Sequence, residues 1–384
     1  MKKTVCFVST HYFPILGGIT RYTYNLIKEL QAKNVEVIMI TLNVADLPEY
    51  EVTEGVEIFR LPCFKFMAGR FPVIRLNKQC RNTLKELAKR KIDLMSINAR
   101  FYVLSLFMAW FGKKNKIPTM IIDHGSSHLT MGSLLMTKMG EWYEHIITMF
   151  LKVYCKDFYG VSKASCEWLK HFGIQAKGTL YNAVDLKYIE SVLEHPVKDY
   201  KKEYNLPEDA VIVAFTGRFV IEKGILQLIE AVENLRKKYP QVYLLVAGDG
   251  PLKQQIVDSI SEGVILLGEI KLEEIVSLLK QSTILCLPSA SEGFPTSVLE
   301  AVACKCFVAA TKVGGAAEII PTKEYGILLE KNDSAHIEEA VEYALKNKDA
   351  IKKATDASYT RMLQNFTWAK TGEKVYRILM QERR

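Results

Sequence analysis

Short apolar runs separated by amphipathic stretches recur along the whole chain. In the first half, TVCFVS, EVIMITL, DLMSIN, TMIIDHG and FYGVS have the length and composition of buried strands, with helix-spaced segments between several of them. The alternation restarts at VIVAFTG and continues through YLLVAGDG, VILLGEI, TILCLP, CFVAAT and GILLE. Runs that are apolar throughout predict strands covered on both faces, as in a parallel, doubly wound sheet. Between the two series, around residues 185–210, the pattern weakens into charged and proline-containing sequence ending in HPVKDYKKEYNLPED, which reads as a linker. The expectation is two consecutive Rossmann-like domains, residues 1–195 and 196–366. FYVLSLFMAWFG (101–112) is predicted to be a buried helix, since no run reaches the roughly 18 apolar residues of a membrane span.

Composition adds little to this picture except through charge and cysteine. With 384 residues, 49% hydrophobic and 24% charged, the chain can fill two cores. Its eight cysteines form no C-x-x-C pair, which argues against a disulfide framework or a cysteine zinc site and for a reducing compartment. MKKTVCFVSTHYF is too polar for the core of a signal peptide and reads as a first strand. The net charge of +8 is concentrated in residues 1–195, where 26 Lys and Arg face 17 Asp and Glu.

Candidate chemistry gathers in the second half. PSASEGFPTSVLEAVA (288–303) follows the run TILCLP, so strand, small-residue loop and helix succeed one another. The amides of Gly293 and Phe294, with Pro295 expected in the first helical turn, would face the carboxyl end of a sheet, where α/β proteins hold anionic ligands. Glu292 and Glu300 suit hydroxyls better than phosphate. Alternatively, Ser291 or Glu292 caps the helix and Glu300 lies on its solvated face. GRFVIEKG (217–224) follows the strand VIVAFTG and pairs the planar fork of Arg218 with the point charge of Lys223, a combination matched to a diphosphate. Both side chains are expected to face solvent when no ligand is bound. GDGP (248–251) and VGGAAE (313–318) end two further strands. In the first half, Gly17-Gly18-Ile19 follows the first strand and lets backbone approach a ligand.

Together, G-G-I, G-R-F-x-x-E-K-G, G-D-G-P, E-G-F-P-x-x-x-L-E-A and V-G-G-x-x-E resemble the retaining glycosyltransferases of family four over nearly the whole chain. The resemblance implies a GT-B fold, two Rossmann-like domains facing each other across a cleft. The nucleotide-sugar donor would sit on the second domain and the acceptor on the first, and a last helix near 367–384 would cross back to the first domain. It implies that Arg218 and Lys223 hold the pyrophosphate and that Glu300 takes the ribose hydroxyls. Glu292 would contact the transferred sugar, and Gly217, Gly293, Phe294 and Pro295 would shape the donor loops. Gly17 and Gly18 would approach the donor from the first domain, His124 matches the active-site histidine, and Asn182 stands in YNAVD where members commonly carry N-G-V-D. Lys305 occupies a position where many members have glycine, which should alter a helix C-cap rather than the chemistry.

The resemblance implies no cofactor. No metal is expected, since there is no D-x-D and the cationic side chains can stabilise the leaving group. A UDP-sugar is favoured over a GDP-sugar, with a hexose-type sugar moved to a glycan acceptor in bacterial surface polysaccharide synthesis. The alternatives are a nucleotide-sugar epimerase or hydrolase, or a non-catalytic nucleotide-sugar-binding protein. No nucleic-acid partner is expected. The first domain suggests a lipid-linked acceptor and an anionic membrane surface at the cytoplasmic face: from Arg60 to Lys91 ten basic residues accompany one acid, Glu86. Val73, Leu76, Cys80, Leu84 and Leu87 recur at helical spacing opposite Arg75, Lys78, Arg81, Lys85 and Lys89. Phe64, Phe66, Met67 and Phe71 lie just before, in a loop able to enter lipid. The methionine-bearing stretch 129–151 is expected to pack in the core or to line a groove for a hydrocarbon chain.

Overall fold

The computed structural model describes residues 2–128 and 134–381; residues 129–133 of the methionine-bearing stretch and 382–384 of the expected last helix lie outside the described residues. The chain divides into two compact units, residues 1–182 with 368–384, and residues 183–367.

The strands of the first unit are β1 (Thr4–Val8), β2 (Glu36–Leu42), β3 (Tyr50–Thr53), β4 (Val56–Leu61), β5 (Cys63–Phe64), β6 (Val73–Ile74), β7 (Leu94–Asn98), β8 (Thr119–Asp123), β9 (Asp157–Gly160) and β10 (Gly178–Thr179). Its helices include α1 (Gly18–Ala32), α2 (Lys78–Leu87), α3 (Val103–Lys114), α4 (Leu134–Tyr154) and α5 (Lys163–Lys170). Eight strands form one sheet in the order β10-β9-β8-β7-β1-β2-β4-β3, and β5 pairs with β6 apart from it. Only the edge strand β3 runs antiparallel to its neighbour in that sheet. Val5, Cys6, Phe7 and Val8 are buried, as a central strand covered on both faces requires. Helix α1 buries Tyr22, Thr23, Leu26, Ile27 and Leu30, the stripe that a period of 3.6 places on one face. The C-terminal helix Trp368–Gln381 packs beside it, with Lys33 bonded to Glu373 at 2.7 Å.

The second unit contains β11 (Val211–Thr216), β12 (Val242–Ala247), β13 (Val264–Gly268), β14 (Ile284–Leu287), β15 (Phe307–Thr311) and β16 (Ile327–Leu329), in the order β13-β12-β11-β14-β15-β16. All five pairings are parallel. From the central β11 the chain fills one side of the sheet, then returns to β14 and fills the other. The loops after β11 and β14 therefore part in opposite directions and leave a crevice at the carboxyl edge. β1 and β7 stand in the same relation in the first unit.

The expected linker is mostly helical. α6 (Leu186–Glu194) and the short helix Tyr200–Glu203 cover this stretch, and both belong to the second unit. Tyr188 donates to Glu273 at 3.0 Å and the Val197 amide to Ser277 at 3.1 Å, so the division falls at residue 182 rather than 195. Val73, expected on a helix, lies in β6, and α2 begins only after Asn77, whose side chain caps it by accepting from the Cys80 amide. Lys305 adopts a left-handed φ of 53°, and its amide donates to Val302, closing the helix Thr296–Ala303 where glycine would be easier.

Candidate functional site

In the second unit, the crevice between β11 and β14 is framed by loops locked together through their glycines. After β11 the chain makes a short turn, Ile221–Lys223, and Gly224 leaves it with a left-handed φ of 67°. A side chain at Gly224 would collide with the Pro288 carbonyl, and the Ala290 amide donates to the Glu222 carbonyl at 2.7 Å. The loop after β15 is clamped in the same way. A Cβ at Gly314 would strike the Glu292 carbonyl, one at Gly315 would strike the Phe294 ring, and the Gly315 amide donates to Gly293 at 3.0 Å. The recurring glycines thus serve close loop-to-loop contact.

These clamps place Lys223 Nζ 2.5 Å from Glu292 Oε1, with the two side chains 24% and 11% exposed. Lys223 therefore does not face solvent as the sequence suggests; it is half-buried and paired. Arg218 is exposed, and among the described residues no hydrogen bond or ion pair holds its guanidinium. Its neighbour Phe219 is buried and anchors the loop. Phe294 is buried beside Phe366, with ring centroids 5.4 Å apart. Pro295 precedes the helix as its N-cap, one position earlier than expected, because its ψ of 108° is extended. Glu300 is only 8% exposed, which removes the reading of a solvated helix position. Two cations, the carboxylates of Glu292 and Glu300, and a helix N-terminus therefore gather in this unit, an arrangement suited to an anion that also bears hydroxyls.

In the first unit, His124 follows β8. Its Nε2 lies 2.9 Å from Asn98 Oδ1 at the end of β7, and Asn98 Nδ2 donates to Thr23 Oγ1 at 3.1 Å. The Thr23 hydroxyl in turn donates to the Ile19 carbonyl at 2.7 Å. This chain fixes the asparagine amide, so Oδ1 faces the imidazole, Nε2–H donates, and Nδ1 is left as an acceptor. The Tyr22 ring meets the imidazole edge-on at 4.9 Å. Burial pushes the pKa of His124 down to about 3, so it is neutral near pH 7. Gly17 and Gly18 are exposed, and a Cβ at either would meet nothing within 4 Å. Asn182 is buried at the last position of this unit's main segment.

The fold thus gathers Gly217, Arg218, Lys223, Glu292, Gly293, Phe294, Pro295 and Glu300 in one unit, and Gly17, Gly18, His124 and Asn182 in the other. Sequence reasoning missed Thr23 and Asn98, which orient His124. A polar residue ending the buried strand DLMSIN was the available signal for Asn98. It also missed the buried Arg100, bonded to Glu144 at 2.7 Å and 3.3 Å from Asp123. Burial raises the pKa of Asp123, with Arg100 opposing.

Comparison with known proteins accounts for this arrangement. Residues 196–361 match the family Glycosyl transferases group 1, and residues 16–188 match Glycosyltransferase Family 4. An uncharacterized glycosyltransferase of Methanocaldococcus jannaschii is 27% identical over 94% of this chain and 93% of its own. A putative teichuronic acid biosynthesis glycosyltransferase of Bacillus subtilis is 26% identical over 77% and 73%. A component of the human phosphatidylinositol N-acetylglucosaminyltransferase is 24% identical over 97% and 75%. Among solved structures, a sucrose-phosphate synthase of Thermosynechococcus elongatus superposes with a TM-score of 0.77 over 99% of both chains at 21% identity. Anabaena HepE in complex with UDP-glucose gives 0.74 over 98% of this chain and 99% of its own at 15% identity. With both Rossmann-like units matched in order, the fold is GT-B, and the chain belongs to the group 1 glycosyltransferases.

Proposed function

We propose that this chain is a retaining transferase that moves a hexose-type sugar from a UDP-sugar to a lipid-linked glycan acceptor at an anionic membrane surface. The observation that carries the reading is the crevice between β11 and β14, where Lys223, paired with Glu292, shares the loop after β11 with Arg218, whose guanidinium has no partner among the described residues. A diphosphate entering there would meet a guanidinium fork, an ammonium group and the start of the helix Thr296–Ala303. These charges stabilise the departing UDP as the bond from the sugar C1 to the phosphate oxygen breaks. The new bond from C1 to the acceptor oxygen forms on the same face, and the acceptor proton passes to the departing phosphate oxygen. Glu292 is engaged by Lys223, which weakens it as a nucleophile and favours this front-face route over a covalent intermediate. Its remaining capacity suits the sugar hydroxyls, and the buried Glu300 suits the ribose. Neutral His124, with Nδ1 accepting, suits another sugar hydroxyl. Arg218 and Lys223 supply the positive charge that a divalent cation would otherwise bring to the diphosphate.

The UDP-glucose bound to the HepE neighbour supports UDP over GDP. For the acceptor, the names of the teichuronic acid and phosphatidylinositol relatives point to surface glycans and lipids. The first unit supplies a physical reason. Helix α4 buries one face through Glu144, Ile147, Thr148 and Leu151, yet exposes Leu135, Met139, Trp142, Ile146, Met149, Phe150 and Val153 along another. The described methionines of this helix therefore neither fill the core nor lie in a closed groove. Phe64, Phe66 and Met67 are exposed too, with the Arg75 guanidinium over the Phe64 ring, and Lys78, Arg81 and Lys85 are exposed on α2. No described helix is long and apolar enough to cross a membrane, so such a surface would rest on it. The test is transfer from UDP-hexoses to polyprenyl- or glycerolipid-linked acceptors in anionic liposomes, with the product anomer read by NMR. Retention of configuration is expected. Donor conversion without acceptor would mark an epimerase or hydrolase instead.

A further inference from the structure

Away from the sites above, three histidines converge on one spot of the first unit. His128 lies beyond β8, His145 on α4, and His171 at the C-cap of α5. One ring nitrogen from each lies within 4.8 Å of the other two. We propose that His128, His145 and His171 form a zinc site.

The donor set is chemically selective. Three imidazoles suit Zn²⁺ and its neighbours in the transition series and are poor ligands for Mg²⁺ or Ca²⁺. Around a tetrahedral zinc, with bonds of about 2.0–2.1 Å, ligand nitrogens stand about 3.3 Å apart. The observed spacing closes to that value by small rotations of His145 and His171, both exposed. His128 is held from behind. Its Nδ1 is buried and faces Glu144 Oε1 at 3.5 Å, while Glu144 Oε2 accepts from Arg100 at 2.7 Å. At 3.5 Å Nδ1 makes no hydrogen bond to Glu144, and a small closing movement would complete the carboxylate–histidine pair common behind metal-bound histidines.

The surroundings fit an accessible metal. His145 and His171 line a surface pocket of about 480 Å³ with Trp142, Ile146, Met149 and Lys152, so an ion can enter and a fourth ligand can reach it. Trp168 stacks on His171 with ring planes 7° apart, and Phe172 packs against both His128 and His145, which restricts the rings. The three ligands come from separate segments, so zinc would tie α4 and α5 to the chain leaving β8. His128 is four residues beyond His124 in D-H-G-S-S-H, so the metal would steady the loop that carries His124. No C-x-x-C pair announces the site, and the H-x-x-x-H spacing from His124 to His128 holds only one of the three ligands, so the fold assembles it.

The experiment is a calorimetric titration of chelator-stripped full-length protein with ZnCl₂, alongside His145→Ala and His171→Ala. Both positions are exposed and tolerate truncation. One zinc per chain should bind the native protein and raise its Tm. Each variant should bind more weakly by at least the roughly 10–100-fold that loss of a supporting partner costs at metal sites. Co²⁺ should give the intense visible absorption of a tetrahedral complex in the native protein only. Absence of stoichiometric binding, or unchanged affinity in both variants, would overturn the proposal.

Discussion

Lys223 has two possible partners, the carboxylate it already holds and the diphosphate it is proposed to receive. Its pairing with Glu292 separates two properties that a solvent-facing lysine would join. Arg218→Ala and Lys223→Ala should each lower kcat by on the order of 100-fold or more, as removal of a transition-state donor does. Their stabilities should differ. Exposed Arg218 can be lost within about 0.5 kcal/mol, whereas Lys223→Ala strips a mostly buried Glu292 of its ammonium and should lower Tm visibly. Turnover within a few-fold of the native rate in both variants would refute the assignment. His124 allows a separate check. Its folded pKa of about 3 lies below the ordinary 6.5, so the unfolded chain binds the extra proton between those values. Stability from this residue is therefore complete above pH 6.5 and falls as pH drops toward 3. Urea unfolding across that window should show a shallower pH dependence in His124→Gln, by up to one proton per molecule. Identical slopes would contradict the neutral, half-buried imidazole.

At the scale of elements, α4 changes the membrane reading. The sequence directs attention to the basic stretch 60–91, whose charges are exposed apart from Arg60, which is buried and paired with Glu51, but helix α2 within it offers little apolar surface, with Cys80 and Leu87 buried. The larger apolar stripe lies on α4, where Trp142 is 74% and Met139 64% exposed. Each element supplies what the other lacks, charge for attraction and apolar area for insertion. Liposome co-sedimentation should therefore need anionic lipid and weaken with salt. Binding should fall in a Lys78, Arg81, Lys85→Glu triple variant, and fall further when Met139 and Trp142 also become Glu. Equal partitioning onto neutral vesicles, or none at all, would leave a soluble acceptor as the better account.

At the scale of the whole molecule, the strands were the most legible part. Uninterrupted apolar runs such as VIVAFTG leave little choice but a covered parallel strand, and each of the eleven runs named from the sequence contains one. The short β3, β5, β6 and β10 were not legible. Two to four residues are too few to show a period, and apart from Ile74 their side chains are partly or fully exposed; β4 was missed as well, although Val56, Ile58, Phe59 and Leu61 are buried. The glycine-bearing loops were readable from spacing because each follows a strand, but their partners were not. The Lys223–Glu292 pair spans 69 residues and the His124–Asn98 contact 26, distances over which periodicity says nothing. Asn98 and the histidine triad likewise exist only once the sheet order is known. The central claim, that the crevice between β11 and β14 serves acceptor-dependent transfer from a UDP-sugar, is tested most directly by UDP release. It should be measured from a UDP-hexose with and without a lipid-linked acceptor, without added Mg²⁺ or Mn²⁺, in the native chain and Lys223→Ala. The account predicts release by the native chain only when acceptor is present, with no gain from either metal and near-total loss in the variant. Release that ignores the acceptor, demands the metal or survives Lys223→Ala would contradict it.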